Sequence, residues 1–263
     1  MKQTINSLTV HTFGESYNQP VVFVHGFPFD HSIWEFQIEA LKDKYYCVAY
    51  DVRGLGESYV GDGQYTMEAY VDDLFSVINE LSLPKPIVCG HSMGGYIVLR
   101  SVEKRQDKFS GLILCGTKSE ADDNAAKLKR AAGIDQINTE GLIKFVDPFV
   151  TNCFAEDTIK ENEKLFLNTL FKAHKNDPAG VKGALIALVS RTDTTPFLPH
   201  IKIPTLVLSG SFDKISPPPL MRTLSEKIPH SEFAVIPQAG HMSVLENPGC
   251  VNDLILSFLE RRF

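Results

Sequence analysis

The most informative stretch of the sequence, residues 87–95, reads Ile87-Val88-Cys89-Gly90-His91-Ser92-Met93-Gly94-Gly95. Its first three residues are apolar and suit a buried strand, whereas the residues from Met93 onward follow a helical pattern. Between them stands the pattern Gly-x-Ser-x-Gly. Because a serine hydroxyl is a weak nucleophile, it must be raised on a sharp turn where a base can reach it, and flanking glycines allow such a turn. The stretch therefore predicts a strand, a nucleophilic Ser92 and a helix.

Apolar runs suited to buried parallel strands alternate with helical patterns along most of the chain. The predicted strands are residues 21–24, 46–50, 87–89, 112–115, 205–208 and 233–236. The predicted helices are residues 33–41, 65–81, 93–103, 220–227 and 250–261. Residues 8–13 alternate in polarity like an exposed antiparallel edge strand. This order is typical of βαβ units and predicts an α/β fold with a mostly parallel sheet flanked by helices.

The alternation stops after Gly116, and residues 117–202 contain no convincing strand. Apolar residues recur there at helical spacing and form an apolar stripe along each of two predicted helices. These stripes are Leu142, Phe145, Val146 and Phe149, and Val181, Ala184, Leu185 and Leu188. We therefore expect a core made of residues 1–116 and 203–263, with a helical cap inserted over residues 117–202.

The composition argues against several classes of protein. The chain has 26 Lys and Arg residues against 32 Asp and Glu residues, a net charge of −6, and no basic cluster suited to nucleic acid. No window approaches the apolar length of a membrane span, and the first residues lack the apolar core of a signal peptide. We expect a cytoplasmic protein that binds neither nucleic acid nor membrane, with its five scattered cysteines as reduced thiols.

No cofactor or metal ion is expected from the motifs. Gly54-Leu55-Gly56 follows a predicted strand like the start of a dinucleotide-binding fingerprint, but the third glycine of that fingerprint is missing. The eight histidines include no HExxH motif and no cluster with the spacing of metal ligands.

Several motifs resemble those of the α/β-hydrolase family, and the resemblance covers nearly the whole chain. The segments that carry it are His25-Gly26-Phe27-Pro28, Asp51-Val52-Arg53-Gly54-Leu55-Gly56-Glu57-Ser58, the stretch around Ser92 and residues 194–204. The resemblance implies an α/β-hydrolase fold with a helical cap insertion. It extends furthest to small carboxylesterases and to proteins similar to 3-oxoadipate enol-lactonase.

In that family the catalytic residues follow the order nucleophile, acid, histidine. The matching residues here are Ser92, Asp213 and His241, the last two placed just after predicted strands, where open α/β sheets gather their ligands. The resemblance implies that His241 moves the proton of Ser92 and that Asp213 fixes the tautomer of His241. Two other carboxylates compete with Asp213. Asp51 lies in a turn that resembles a structural turn of the family, and Asp193 lies inside the expected insertion.

The resemblance also implies an oxyanion hole made by the backbone N–H groups of Phe27 and Met93. Phe27 is further expected to contact the substrate. Phe145 and Phe149 make the insertion aromatic and would suit an apolar acyl or alcohol group. We expect His25 to be a hydrogen-bonded turn residue and not a second base.

The sequence leads to the hypothesis of a serine hydrolase that cleaves small carboxylic esters or lactones through an acyl-enzyme on Ser92. A serine at the elbow, where epoxide- and halide-displacing relatives carry aspartate, argues against those two activities. The alternatives are a carbon-carbon bond hydrolase, a cofactor-free perhydrolase, and a slow-turnover receptor for a small ligand. A lactone that carries carboxylates would require a buried Arg or Lys, which the sequence alone does not identify.

Overall fold

The computed structural model describes residues 1–61 and 63–263, and the described residues form one eight-stranded sheet. The strands are β1 (Lys2–Ile5), β2 (Leu8–Phe13), β3 (Pro20–Val24), β4 (Tyr46–Tyr50), β5 (Ile87–His91), β6 (Gly111–Cys115), β7 (Thr205–Gly210) and β8 (Glu232–Ile236). Their order is β1-β2-β4-β3-β5-β6-β7-β8. β2 runs antiparallel to both of its neighbours, and all other pairs are parallel.

The same residues form eleven α-helices. They are α1 (Glu35–Leu41), α2 (Met67–Glu80), α3 (Met93–Arg105), α4 (Asn124–Glu140), α5 (Leu142–Cys153), α6 (Glu156–Glu161), α7 (Glu163–His174), α8 (Pro178–Val189), α9 (Pro218–Glu226), α10 (Ser243–Glu246) and α11 (Pro248–Arg262). Every residue of β3, β5, β6 and β7 is buried, so helices cover both faces of the central sheet. All six predicted parallel strands are present.

Five of the eleven α-helices among the described residues begin after a side chain that accepts a hydrogen bond from a free backbone N–H. Thr66 accepts from the N–H of Ala69 at the start of α2, over 3.1 Å. Asp123 accepts from the N–H of Ala126 at the start of α4, over 2.7 Å. Asn247 caps α11, whose first residue is a proline. These residue types are the ones that favour helix starts. The five helices predicted outside the insertion, found from their apolar spacing, are all present.

The prediction of an edge strand over residues 8–13 is wrong, although its antiparallel pairing is confirmed. β1 lies outside β2 and pairs Ile5 with Leu8, so β1 and not β2 forms the edge of the sheet. The two strands are joined by Asn6 and Ser7, which have positive φ angles of 46° and 66°. Such hairpin turns usually contain glycine. This turn has none and β1 is mostly polar, so the hairpin left no recognisable sequence signal.

Residues 117–202 connect β6 to β7 through α4–α8 and contain no strand. We call these residues the helical segment. Its two ends lie side by side, because the N–H of Thr194 donates to the carbonyl of Ser119 over 3.0 Å. The hydroxyls of Ser119 and Thr195 are also hydrogen-bonded, over 2.8 Å. Among the described residues, no helix combines the length and the apolar character needed to cross a membrane.

Candidate active site

Ser92 occupies a strained turn between β5 and α3. Its φ and ψ angles are 51° and −114°, a region that residues with side chains rarely adopt. A Cβ atom on Gly90 would lie 2.6 Å from the carbonyl oxygen of Gly94, and one on Gly94 would overlap the carbonyl oxygen of Val24. Both glycines of the Gly-x-Ser-x-Gly pattern are therefore required by the close packing of this turn. The sharp strand-to-helix turn at Ser92 that the sequence predicted is present, and we call it the elbow.

His241 and Asp213 form a buried pair. Nδ1 of His241 lies 2.8 Å from Oδ2 of Asp213, and Oδ1 of Asp213 accepts from the N–H groups of Ile215 and Ser216 over 2.7 and 2.8 Å. Burial raises the pKa of the Asp213 carboxyl, but His241 and the two N–H donors outweigh burial and lower it. An ionised Asp213 accepts the Nδ1 proton, which leaves Nε2 of His241 available as a base.

Gly116 is the residue around which the three predicted catalytic residues gather. A Cβ on Gly116 would lie 3.1 Å from Nδ1 of His241 and 3.3 Å from Oδ2 of Asp213. The preceding carbonyl, that of Cys115, accepts the N–H of Ser92 over 3.0 Å. Among the described residues, no hydrogen bond joins the Ser92 hydroxyl to His241. Catalytic hydrogen bonds are often long in unliganded enzymes and shorten when substrate binds.

The loop that carries Phe27 lies against the elbow. A Cβ on Gly26 would lie 3.0 Å from the Cβ of Ser92. Within residues 1–61 and 63–263, the backbone N–H groups of Phe27 and Met93 have no hydrogen-bond acceptor, so both are free to bind an oxyanion. His25 is buried in this loop.

His25 is a structural residue of the turn, as expected. Its Nδ1 donates to the carbonyl of Gly26 over 2.9 Å, and its Nε2 accepts the N–H of Val52 over 2.8 Å. Burial lowers the pKa of His25, which keeps the ring neutral and suits this pattern of one donor and one acceptor.

The three aromatic residues proposed to contact substrate lie together. The ring of Phe27 meets Phe145 and Phe149 edge to face, with centroids 6.2 and 5.3 Å away, and the latter two rings stack at 6.1 Å. Gly133 on α4 leaves room for Phe145, since a Cβ there would lie 2.7 Å from Cε2 of that ring. We call Phe27, Phe145 and Phe149 the aromatic cluster. It joins the elbow-side loop to α5 of the helical segment.

Sequence reasoning missed Glu246, which holds the loop of His241. Its Oε1 accepts the N–H of Gly240 over 2.9 Å. Its Oε2 accepts the N–H of Ala155 over 2.8 Å and the hydroxyl of Thr158 over 2.7 Å. The carboxylate thus ties the residue before His241 to the helical segment.

A second tie lies on the other side of the histidine. The N–H of Met242 donates to the carbonyl of Cys153 over 3.1 Å, so both neighbours of His241 are bound to the same short stretch of the helical segment. These contacts join residues about 90 apart in the chain, and only the folded structure reveals them.

His91 was also missed, although it occupies the variable position of the Gly-x-Ser-x-Gly pattern. Its Nε2 donates to the carbonyl of His241 over 2.9 Å. Burial, followed by the proximity of His241, lowers the pKa of His91 to about 3, so the ring is neutral. Trp34 packs against His91 edge to face at 6.4 Å. His91 therefore holds the backbone of His241 in place.

The rival carboxylates lie elsewhere. Asp51 accepts the N–H and Nδ1 of His31 over 2.8 and 2.7 Å, and the N–H of Glu57 over 2.8 Å, which fixes the turn that contains it. Asp193 is exposed and accepts the N–H of Thr195. Among the described hydrogen bonds, neither carboxylate is joined to His241.

One group of side chains has the composition of a metal site but not its geometry. Ligand atoms of His11, His31 and Asp51 lie within 4.8 Å of one another. The two imidazole rings, however, stack at 3.7 Å and are nearly parallel. Their in-plane lone pairs therefore do not converge on one point, and Asp51 is already hydrogen-bonded to His31. The arrangement fits a structural role.

The family model described as alpha/beta hydrolase fold matches residues 19–248. The chain belongs to the alpha/beta hydrolase family. The predicted fold is thereby confirmed, and the chain is a hydrolase of this family.

Relatives and solved structures span nearly all of the chain. 3-Oxoadipate enol-lactonase 2 of Acinetobacter baylyi is 26% identical over 97% of this chain and 94% of its own length. A thermophilic esterase from Thermogutta terrifontis, solved with malate bound, is 35% identical with a TM-score of 0.93, covering 99% of this chain and 98% of its own. The enol-lactonase from Burkholderia xenovorans LB400 is 25% identical with a TM-score of 0.90, covering 99% and 100%.

Proposed function

We propose that this hydrolase cleaves small carboxylic esters or lactones through an acyl-enzyme on Ser92. The observation that carries the proposal is the buried Asp213–His241 pair, with its 2.8 Å hydrogen bond, beside the elbow of Ser92. Similarity to an esterase and to enol-lactonases supports the same reaction class.

In the first half of the reaction, Oγ of Ser92 attacks the substrate carbonyl while Nε2 of His241 takes its proton. Asp213 holds Nδ1–H and stabilises the imidazolium that forms. The negative oxygen of the tetrahedral intermediate accepts hydrogen bonds from the N–H groups of Phe27 and Met93. His241 then protonates the leaving oxygen, and Ser92 remains as an ester of the acyl group.

In the second half, His241 removes a proton from a water molecule that attacks the acyl-enzyme. The second tetrahedral intermediate uses the same oxyanion donors, and its collapse returns the proton to Ser92. An ester yields an acid and an alcohol. A lactone yields a single hydroxy acid, because its leaving oxygen stays attached to the acyl group.

The aromatic cluster limits the size of the acyl or alcohol group. Its rings already contact one another, and Phe27 is buried, so a long chain would have to displace them. Packed interiors resist such displacement. We therefore expect a preference for short acyl groups.

Perhydrolase activity is a second candidate. A bromoperoxidase from Bacillus anthracis is 25% identical, with a TM-score of 0.87. Hydrogen peroxide can replace water as the acceptor of the acyl group from Ser92. Its oxygen forms the new bond to the carbonyl carbon, the bond to Oγ breaks, and His241 returns the proton to Ser92, so a peracid is released.

The test is hydrolysis of p-nitrophenyl esters from acetate to octanoate, with an aliphatic lactone and an enol-lactone in parallel. Wild type is compared with Ser92→Ala and with Ser257→Ala, a control serine on α11. We expect turnover on short esters or lactones that Ser92→Ala abolishes and Ser257→Ala retains. Peracid formation from acetate and peroxide identifies the second candidate. Ester turnover that survives in Ser92→Ala contradicts the acyl-enzyme.

A further inference from the structure

Asn176, a buried residue that follows α7, joins the helical segment to the loop that carries Phe27. Its Nδ2 donates to the carbonyl of Pro28 over 2.7 Å and to the carbonyl of Ala173 over 3.1 Å. Its Oδ1 accepts the N–H of Gly56 over 2.8 Å. Because the carbonyls can only accept and the N–H can only donate, these partners fix the orientation of the amide. The side chain thus bridges three separate stretches of the chain.

Two peptide groups connect this side chain to the expected oxyanion donor. The carbonyl of Pro28 and the N–H of Phe29 belong to one planar peptide group, and that N–H donates to the carbonyl of Gly26 over 3.0 Å. The carbonyl of Gly26 and the N–H of Phe27 belong to a second planar group. The direction of the Phe27 N–H therefore depends, through two rigid planes, on the hydrogen bond from Asn176.

The hydrogen bonds in this series all point the same way. Asn176 donates to the first peptide group, and the first group donates to the second. The series ends at the N–H of Phe27, which has no acceptor among the described residues. Nδ1 of His25 also donates to the carbonyl of the second group, over 2.9 Å. Since hydrogen bonds in a chain polarise one another, the series strengthens the Phe27 N–H as a donor as well as orienting it.

Asn176 is itself held against the core of the fold. Just after it, at the start of α8, a Cβ on Gly180 would lie 1.8 Å from the carbonyl oxygen of Gly54. The two backbones are therefore in close contact, in the same turn whose Gly56 binds the side chain of Asn176. Because packed interiors resist displacement, Asn176 is a fixed point to which the loop of Phe27 is attached.

We propose that Asn176 is a positioning residue that holds the Phe27 N–H where the oxyanion forms. This inference rests on the proposed acyl-enzyme mechanism. Asn176 acts through the loop and not by contact with the reacting atoms. Together with Glu246, which holds the loop of His241, it makes the helical segment responsible for aligning both the base and one oxyanion donor.

The experiment compares p-nitrophenyl acetate with its thiono analogue, in which sulfur replaces the carbonyl oxygen. Sulfur is larger than oxygen and accepts hydrogen bonds weakly, so the thionoester gains little from the oxyanion donors. Complete removal of one such donor costs about 100- to 1000-fold in kcat, and a displaced donor costs less. In Asn176→Ala we therefore expect kcat on the ester to fall by about 10- to 100-fold, with KM changed less than about twofold. The thionoester should lose less than about threefold.

Two further variants make the comparison specific. Asn176→Ser keeps a small polar side chain that is too short to replace both bonds, so it should show the same selective loss and remains informative if Asn176→Ala does not fold. Asn168→Ala changes an exposed asparagine on α7 and should leave the rates on both substrates at their wild-type values. Equal losses on the two substrates in the Asn176 variants would show a role in the fold or at the base, and would overturn the inference. An unchanged kcat on the ester would do the same.

Crystal structures separate this inference from the proposed function. The backbone nitrogen of Phe27 should be displaced in Asn176→Ser relative to wild type. A nitrogen that stays in place overturns the positioning role, whether or not esters are hydrolysed. Absence of Ser92-dependent turnover in wild type, by contrast, contradicts the proposed function and leaves the displacement of Phe27 as the deciding measurement for Asn176.

Discussion

Replacing Glu246 by glutamine tests whether the helical segment and the loop of His241 act as one unit. Glutamine has nearly the same shape but carries one oxygen and one NH₂ group. It can satisfy either the N–H of Gly240 or the donors of Ala155 and Thr158, not both. Where the NH₂ group replaces a carboxylate oxygen, it faces the N–H of Gly240 or that of Ala155, both of which are donors. At least one buried N–H group therefore loses its acceptor.

The magnitude follows from these contacts. A hydrogen bond to a charged group contributes about 1.5 to 3 kcal/mol, and an unpaired buried donor costs about 1 to 3 kcal/mol. Burial raises the pKa of Glu246, which shows that the neutral amide avoids part of an existing desolvation cost. This relief offsets part of the loss, so we expect the free energy of unfolding to fall by about 2 kcal/mol.

The effect on catalysis should be larger than the effect on binding. If Gly240 moves, the imidazole of His241 moves with it, and a displacement of about 1 Å near the reacting atoms can reduce the rate about 100-fold. We expect kcat on a short p-nitrophenyl ester to fall by about 10- to 100-fold, with KM changed less than about twofold.

Three variants make this measurement specific. Glu226→Gln changes an exposed glutamate on α9 and should leave unfolding in urea and kcat at their wild-type values. Thr158→Val removes one bond on the helical-segment side and should have a smaller effect than Glu246→Gln. Glu246→Asp keeps the charge with a shorter reach and should recover part of kcat. Wild-type stability and kcat in Glu246→Gln would refute the coupling.

Three further outcomes are expected. Asp213→Asn should lower kcat by about 10⁴-fold with an unchanged circular dichroism spectrum, because the amide favours the wrong tautomer of His241; unchanged kcat would redirect attention to Asp193. Burial raises the pKa of Asp51, but His31 outweighs burial and lowers it to about 2. The contribution of ionised Asp51 to the free energy of unfolding is therefore complete above about pH 4 and is lost as the pH falls towards 2. Urea unfolding should therefore show wild type more stable than Asp51→Asn by an amount that shrinks over this range, and a constant difference would contradict this explanation. Phe149→Ala should shift the preferred p-nitrophenyl ester to longer acyl chains by opening the aromatic cluster, whereas an unchanged profile would place the acyl group elsewhere.

The elbow could be predicted from sequence because its causes are local. The glycines around Ser92 are required because a side chain there would overlap atoms a few residues away or in the adjacent strand. Their positions produce the Gly-x-Ser-x-Gly spacing, which is visible in the sequence. Asp213 and His241 lie far apart in the chain, but each follows a parallel strand. Such strands end at one edge of the sheet, so the order of elements made their meeting plausible. Asp51 also follows a parallel strand, and the resemblance to the family was needed to prefer Asp213.

The residues that escaped prediction act through contacts between distant parts of the chain. Glu246 has no local pattern, because its partners near residue 155 belong to another element. The pairing of Arg191 with Asp122 is equally hidden, because the two residues lie near opposite ends of the helical segment. Arg191 is a buried cation that sequence analysis did not identify, and its Nη2 is already paired with Asp122 over 2.7 Å.

Because Ser119 and Thr194 are hydrogen-bonded neighbours, the helical segment leaves and re-enters the sheet at one place. It could therefore be replaced as a whole by protein engineering. A segment from a related hydrolase could be grafted at this single junction without altering the order of the strands. The graft would carry its own pocket wall, and with it a new substrate range. It would succeed only if it supplied a backbone N–H and a hydroxyl where Ala155 and Thr158 now meet Glu246, and grafts that lack them should bind new esters yet hydrolyse them slowly.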